Sequence, residues 1–342
     1  MSSRILRGIT IGAGHFGEIQ LEAWQHVQGA QIVGLVSRTV EKVQKLANVF
    51  NIEHVGNDLE RMVDEVKPDF IDICTPPDSH YHYTKLAADI GLPVLCQKPV
   101  APSQEESRAL VNYCRDKNVP IMINENWRWQ GWYREVKRIM DSNAIGKPYH
   151  AYIAMRPGDG WGEKPFPDQP YFKDMEKFLL FETGVHYFDT CRFLFGEIKS
   201  VFCQTRRINP IIKGEDLVLV FLDFMSGMTG IYDANRTTYM EVVRPPAYSI
   251  MTIEGEQGKI RIDLDGRIFV TQRGGTEQEH AYAISSGWRG GCAIATQQHF
   301  IDVLLKGGVF ETDGLEYMQS QEIVYACYRS AATNQVVTLL EA

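Results

Sequence analysis

Over roughly the first 120 residues, short apolar runs alternate with segments whose apolar positions recur every three or four residues. Residues 5–11 form an apolar, β-branched run that predicts a strand, and a helical pattern follows near 17–27. The strand pattern returns at 31–36. Val43, Leu46, Ala47 and Phe50 then mark one stripe of a helix over 41–50, and a short helix over 59–66 ends before Pro68. Strands at 70–74, 94–96 and 120–123 alternate with helices at 82–90 and 105–117. Apolar strands separated by helices predict a parallel sheet covered on both faces.

After about residue 125 the pattern changes. Residues 132–143 read as a helix and 149–155 as a strand. Residues 157–174 hold Pro157, Gly158, Gly160, Gly162, Pro165, Pro167 and Pro170, which predicts a long irregular loop of the kind that often carries function. A helix over 182–195 ends at Gly196. Strand patterns at 201–207, 217–224, 228–235, 249–254, 259–264 and 268–272 follow, with turns at Ser226-Gly227, 255–258 and Asp265-Gly266. Short strands separated by such turns predict antiparallel pairing. Helical patterns over 293–306 and 315–334 close the chain.

The length of 342 residues is enough for about two domains. With 44% hydrophobic and 23% charged residues, disorder, collagen and coiled coil are poor readings. A net charge of −8 gives no broad basic footprint, so no nucleic-acid partner is expected. The longest apolar run, 217–222, falls far short of the roughly 18 residues of a membrane span, so no membrane partner is expected either. Arg4 leads into the first strand with no long apolar export segment. The seven cysteines are odd in number and form no CxxC pair, which predicts reduced core thiols and a cytoplasmic location.

Gly12-Ala13-Gly14-His15-Phe16-Gly17 has the GxGxxG spacing, between a predicted strand and a predicted helix. Gly12 permits a tight turn, Gly14 lets the backbone approach a pyrophosphate, and Gly17 lets helix and strand pack closely. At the end of the second strand, where an acidic residue would bind a ribose hydroxyl and repel a 2′-phosphate, the chain has Ser37 and Arg38. Arg38 suits a 2′-phosphate or a stacked adenine equally, so NAD and NADP both stay open. His80 and His82 stand two residues apart with no Cys/His partner set around them, and no metal is expected.

Three further segments sit in a recognisable order: Cys74-Thr75-Pro76-Pro77-Asp78-Ser79-His80, Cys96-Gln97-Lys98-Pro99, and Glu182-Thr183-Gly184-Val185-His186-Tyr187-Phe188-Asp189. Together with the glycine turn they resemble the Gfo/Idh/MocA family of sugar and polyol dehydrogenases, over nearly the whole chain. The resemblance implies an α/β protein with a Rossmann domain over 1–124. A substrate-binding and oligomerisation domain over 125–342 would follow, built on a large open, mostly antiparallel sheet, with its C-terminal helices able to pack back on the first domain. It implies NAD or NADP as cofactor, a small-molecule sugar substrate, oxidation at a CH–OH group, and a homodimer or homotetramer. Two positions depart from the family pattern: Gln97 stands where Glu is usual, and Glu182 where Asp is usual.

Under that resemblance Gly12, Gly14, His15, Phe16, Gly17, Ser37, Arg38, Thr75, Pro76, His80, Gln97 and Lys98 form the expected cofactor set. Lys98 is expected to stabilise a developing alkoxide and His186 to take the hydroxyl proton. Glu182, four residues before His186, would orient the imidazole from the same helical face. The reverse assignment, Lys98 as base, needs a depressed ammonium pKa. Asn126, Arg128, Arg156, Trp161 and Asp189 are the substrate candidates. Taken singly, Lys98 reads as a surface lysine and His186 as a core histidine; only the joint pattern reverses this. A dinucleotide-sensing regulator on the same fold, or an NAD-dependent glycosidase working through transient oxidation, are the competing functions.

Overall fold

The structure, a computed structural model, describes residues 4–242 and 245–339. It divides into two compact units, Met1–Trp129 with Gly291–Gln319, and Gln130–Gly290 with Ser320–Ala342. The first unit thus takes in a C-terminal segment as well as the N-terminal region.

In the first unit β1 (Leu6–Ile11), β2 (Ala30–Val36), β3 (His54–Gly56), β4 (Phe70–Ile73), β5 (Val94–Gln97) and β6 (Ile121–Asn124) form one parallel sheet in the order β3-β2-β1-β4-β5-β6. The connecting helices are α1 (His15–Trp24), α2 (Val40–Phe50), α3 (Leu59–Val66), α4 (His80–Asp89) and α5 (Gln104–Asp116). This is the doubly wound order of a dinucleotide-binding fold. Local chemistry fixes the helix starts. Asp58 accepts from the Arg61 amide ahead of α3, and ahead of α5 the Ser103 hydroxyl oxygen accepts the Glu106 amide while donating its proton to the Glu106 carboxylate. β3 is three residues long and contains a histidine and a glycine, so no periodicity announced it.

The first unit's core explains why residues 291–319 belong to it. Trp24 of α1, Phe70 of β4, Phe300 and Phe310 form one chain of ring contacts with centroid distances of 5.3, 5.5 and 5.2 Å. Phe300 and Ile301 are fully buried in the same cluster as Leu21, Leu35 and Leu95. Burial of each such side chain contributes about 1.5–3 kcal/mol, so the segment is an integral part of this core.

After the first sheet come α6 (Gly131–Asp141), β7 (Pro148–Met155), α7 (Val185–Phe195), β8 (Ile198–Arg206), β9 (Leu217–Phe224), β10 (Thr229–Asn235) and β11 (Ser249–Gly255). β12 (Gly258–Ile262), β13 (Ile268–Gln272) and β14 (Gln278–His280) follow, then α8 (Trp288–Lys306), α9 (Gly314–Thr333) and β15 (Val337–Thr338). The sheet of the second unit has nine strands in the order β14-β13-β12-β11-β7-β10-β9-β8-β15. All pairs are antiparallel except β7 with β10, which run parallel. β14 and β15 escaped the sequence reading because they are too short to show alternation.

One face of this sheet is packed. Tyr232 meets Tyr187 and Phe188 of α7, and Phe224 meets Phe195. On the other face Phe202, Phe221, Ile231 and Tyr152 lie in one cross-strand row, with Phe221 45% and Tyr152 38% exposed. Among the described residues no helix is long and apolar enough to cross a membrane, and no group of three His, Cys, Asp or Glu residues is arranged to hold a metal. All seven cysteines are buried and none forms a disulfide.

Candidate active site

The first unit gathers its site along the carboxyl ends of β1, β4 and β5, where open α/β sheets bind ligands. Gly12 has φ +122°, and a Cβ there would lie 2.1 Å from the Cys74 carbonyl oxygen, so only glycine fits. A Cβ on Gly17 would stand 3.0 Å from the Gly12 carbonyl oxygen, which keeps α1 tight against β1. Gly14 differs from both. It precedes α1 with an ordinary φ of −84° and is exposed, and a Cβ on it would meet nothing within 4 Å. That open cradle at the start of α1 is where the pyrophosphate of a dinucleotide fits. His15 is exposed and Phe16 half-buried beside it. At the end of β2, Ser37 donates its amide to the Gly56 carbonyl and is half-buried, while Arg38 is exposed.

His80 ties two loops of this edge together. Its ring nitrogens lie 2.8 Å from the Thr75 carbonyl oxygen and 3.1 Å from that of Val100. The residue is fully buried. Burial lowers its pKa, outweighing the pull of the Thr75, Val100 and Pro99 carbonyls. His80 thus braces the Thr75-Pro76 loop against the turn that carries Lys98, and its ring nitrogens face backbone rather than open space. Thr75 is half-buried and Pro76 exposed. Gln97 accepts the Lys98 amide through Oε1 at 2.8 Å, and the half-buried Lys98 precedes a cis peptide to Pro99. Beyond β6, Asn126 is 2% exposed. Arg128 is 4% exposed, donates to the Glu311 carbonyl and faces Glu316 at 4.0 Å.

The second unit holds Glu182 and His186. They do not share one α-helical face, because residues Leu179–Gly184 form a π turn and α7 begins only at Val185. The wider turn changes the angular relation that four-residue spacing has in an α-helix. Thr183 donates its hydroxyl to Glu182 Oε2 at 2.6 Å, and Arg236 Nη1 stands 3.8 Å from the same oxygen. His186 is 5% exposed. Glu215 fixes the start of the turn by accepting the Leu180 and Phe178 amides at 2.9 and 3.3 Å, and Tyr328 donates to it at 2.6 Å. Burial raises the Glu215 pKa against these donors.

Two substrate candidates are otherwise engaged. Asp189 is fully buried and accepts from Ser320, which Arg192 also contacts, so it joins α7 to α9. Arg156 donates to the Asp233 carbonyl at 2.8 Å and to its carboxylate at 2.7 Å. Trp161 is 60% exposed on the irregular loop.

Sequence reasoning missed Arg236, just past β10. Its guanidinium binds the Asp159 carboxylate at 3.0 and 2.5 Å, donates to Thr183 Oγ1 at 3.2 Å, and lies 4.9, 5.4 and 5.5 Å from the ring centres of Phe166, Phe172 and Phe178. An arginine at a strand end has no motif around it to announce this. Asp159 and Thr183 are 77 and 53 residues away in the chain.

A glycine turn opening α1 on a doubly wound sheet, followed by a second, mostly antiparallel sheet, defines a dinucleotide-binding α/β protein. Residues 6–125 match the Gfo/Idh/MocA oxidoreductase family, NAD-binding Rossmann fold, and residues 133–261 match that family's C-terminal domain. D-apiose dehydrogenase of Rhizobium rhizogenes is 32% identical over 99% of both chains, and D-apiose dehydrogenase of Paraburkholderia graminis is 31% identical over 97% of this chain and 89% of its own. The crystal structure of an oxidoreductase from Agrobacterium radiobacter in complex with NAD+, L-tartaric acid and magnesium has a TM-score of 0.89 and 33% identity, covering 97% of this chain and 98% of that one. The chain belongs to the Gfo/Idh/MocA family.

Proposed function

We propose that the protein is an NAD(P)-dependent sugar dehydrogenase whose substrate is an aldose of the apiose type, oxidised to its lactone. The observation that carries this reading is the 32% identity over 99% of both chains to a D-apiose dehydrogenase. A nicotinamide dinucleotide held on the glycine turn would supply the hydride acceptor for the carbinol carbon. The Lys98 ammonium stabilises the alkoxide as it develops, and neutral His186 takes the hydroxyl proton. Glu182 steadies the imidazolium that results. Asn126, Arg128, Arg156, Trp161 and Asp189 are the proposed sugar contacts, of which Arg128, Arg156 and Asp189 also bond within the protein, to Glu311, Asp233 and Ser320.

The glycine turn, Thr75, Pro76, Gln97 and Lys98 form the cofactor edge. The β2 end carries no acidic group to reject a 2′-phosphate, so the cofactor is NAD or NADP. The apolar row Phe202–Phe221–Ile231–Tyr152 supports a homodimer or homotetramer formed through the sheet. Seven buried cysteines outside any disulfide support a cytoplasmic location.

The test is cofactor reduction with a panel of aldoses that includes apiose, repeated with Lys98→Ala and His186→Ala. Each variant is expected to lose about 100-fold or more in kcat/KM on the best substrate. Full turnover by both variants would sink the assignment. Dinucleotide binding with no turnover on any sugar would point to a regulator, and release of a leaving group without net cofactor reduction to a glycosidase.

A further inference from the structure

We infer that Thr183 and Arg236 are positioning residues that fix the Glu182 carboxylate through a hydrogen-bonded relay. This rests on the roles proposed above for Glu182 and His186.

The relay has a direction set by its donors. Arg236 Nη1 donates to Thr183 Oγ1 at 3.2 Å, and Thr183 Oγ1 donates to Glu182 Oε2 at 2.6 Å. A hydroxyl has one proton, so accepting from a guanidinium leaves that proton for the carboxylate and locks the rotor. The arginine cannot turn away. Its Nε and Nη2 grip both oxygens of Asp159, and three phenylalanine rings surround it. The backbone is pinned as well, because the Arg236 amide donates to the Asp216 carbonyl and the Arg236 carbonyl accepts the Gly160 amide. A Cβ on Gly160 would meet that carbonyl oxygen at 2.9 Å, so the irregular loop can approach β10 only with glycine there.

The charge count shows why a relay is used instead of a direct pair. Asp159 takes the bidentate face of Arg236, whose Nη1 approaches Glu182 at 3.8 Å. Within this trio two carboxylates face one guanidinium. Toward Arg236, Glu182 is thereby held through the Thr183 hydroxyl and not by a bidentate pair. A carboxylate held so retains the charge that steadies an imidazolium. A direct bidentate Arg–Glu182 pair would position it equally well and cancel that charge.

Thr183→Val removes the hydroxyl at nearly constant volume and leaves Arg236 on Asp159. The readouts are kcat and sugar KM from cofactor reduction, dinucleotide affinity, and the thermal midpoint, compared with Thr183→Ser, Glu182→Gln and His186→Ala. The valine variant is expected to lose about tenfold in kcat, with KM within about twofold and dinucleotide affinity and midpoint unchanged, and serine to restore kcat. Thr183→Ala gives the same readouts if the valine variant does not fold. Wild-type kcat in the Thr183 variants, while Glu182→Gln and His186→Ala lose tenfold or more, would overturn the relay and leave the catalytic assignment standing. A parallel fall of kcat and midpoint in the valine variant would also overturn it, in favour of a purely structural hydroxyl. Full activity in Glu182→Gln and His186→Ala would instead remove the assignment on which it rests.

Discussion

Asp72 offers a quantitative check on the first unit. It lies in β4, fully buried, and its carboxylate accepts from Trp24 Nε1 at 2.8 Å, Thr10 Oγ1 at 3.1 Å and Gln20 Nε2 at 3.3 Å. Burial raises its pKa from the ordinary 3.8 to about 6, and the bonds from Trp24, Thr10 and Gln20 only partly oppose this. The folded protein therefore holds the proton that the unfolded chain has already released. Between about pH 4 and pH 6 the unfolded state binds fewer protons, and stability falls as pH rises. Above pH 6 the cost levels off. A shift from 3.8 to about 6 corresponds to about 3 kcal/mol. Asp72→Asn copies the neutral carboxyl and carries no such cost. Urea unfolding of both proteins across pH 4 to 7.5 measures the effect, and the difference between them cancels every other titrating group. That difference is expected to move in favour of the asparagine variant by about 2 kcal/mol from pH 4 to pH 7. A difference independent of pH would refute the argument, because it would mean that the three donors fully offset burial.

Four further outcomes are expected. Gly14→Ala should fold with an unchanged thermal midpoint, since nothing in the chain stands within 4 Å of the added methyl, yet lose about tenfold or more in dinucleotide affinity by calorimetry. Gly12→Ala should instead lose about 3 kcal/mol of stability, measured by urea unfolding, through its clash with the Cys74 carbonyl and its φ of +122°. Arg38→Asp should lower kcat/KM for NADP by about tenfold or more and spare NAD, which steady-state kinetics with both cofactors would show. Phe221→Glu, placing a charge in the apolar row of the sheet, should convert an oligomer formed through that face to a monomer in light scattering; an unchanged mass would exclude the face.

The first unit was legible because its signals are local. Each strand of the parallel sheet except β3 is a short apolar run, and the glycine spacing states a backbone requirement that the Gly12 contact with Cys74 makes explicit. The membership of residues 291–319 was harder to read. Phe300 and Phe310 belong to the core of Trp24 and Phe70, more than 200 residues away, and helical periodicity says only that a face is apolar, not which partner covers it. The parallel pairing of β7 with β10 was hidden for a related reason. Turn signals describe neighbours in sequence, and these strands are joined by long-range topology.

Glu182 and His186 show where motif reading stops. Their residue types were enough to suggest a carboxylate and an imidazole working together, and their spacing suggested one α-helical face. The π turn over Leu179–Gly184 departs from that geometry, and what holds it lies elsewhere in the chain. Glu215 takes the amides of Phe178 and Leu180, Tyr328 anchors Glu215, and Arg236 reaches Glu182 through Thr183. Glu215, Tyr328 and Arg236 belong to no motif, because each is needed for its reach rather than for its reactivity. The residue types of the proposed pair are therefore written locally, in an eight-residue stretch from Glu182 to Asp189, while the turn that carries Glu182 is held by side chains that meet only after the second sheet has formed. Substitutions at Asp159, Glu215 or Arg236 should consequently alter the pair without touching the motif that identifies it.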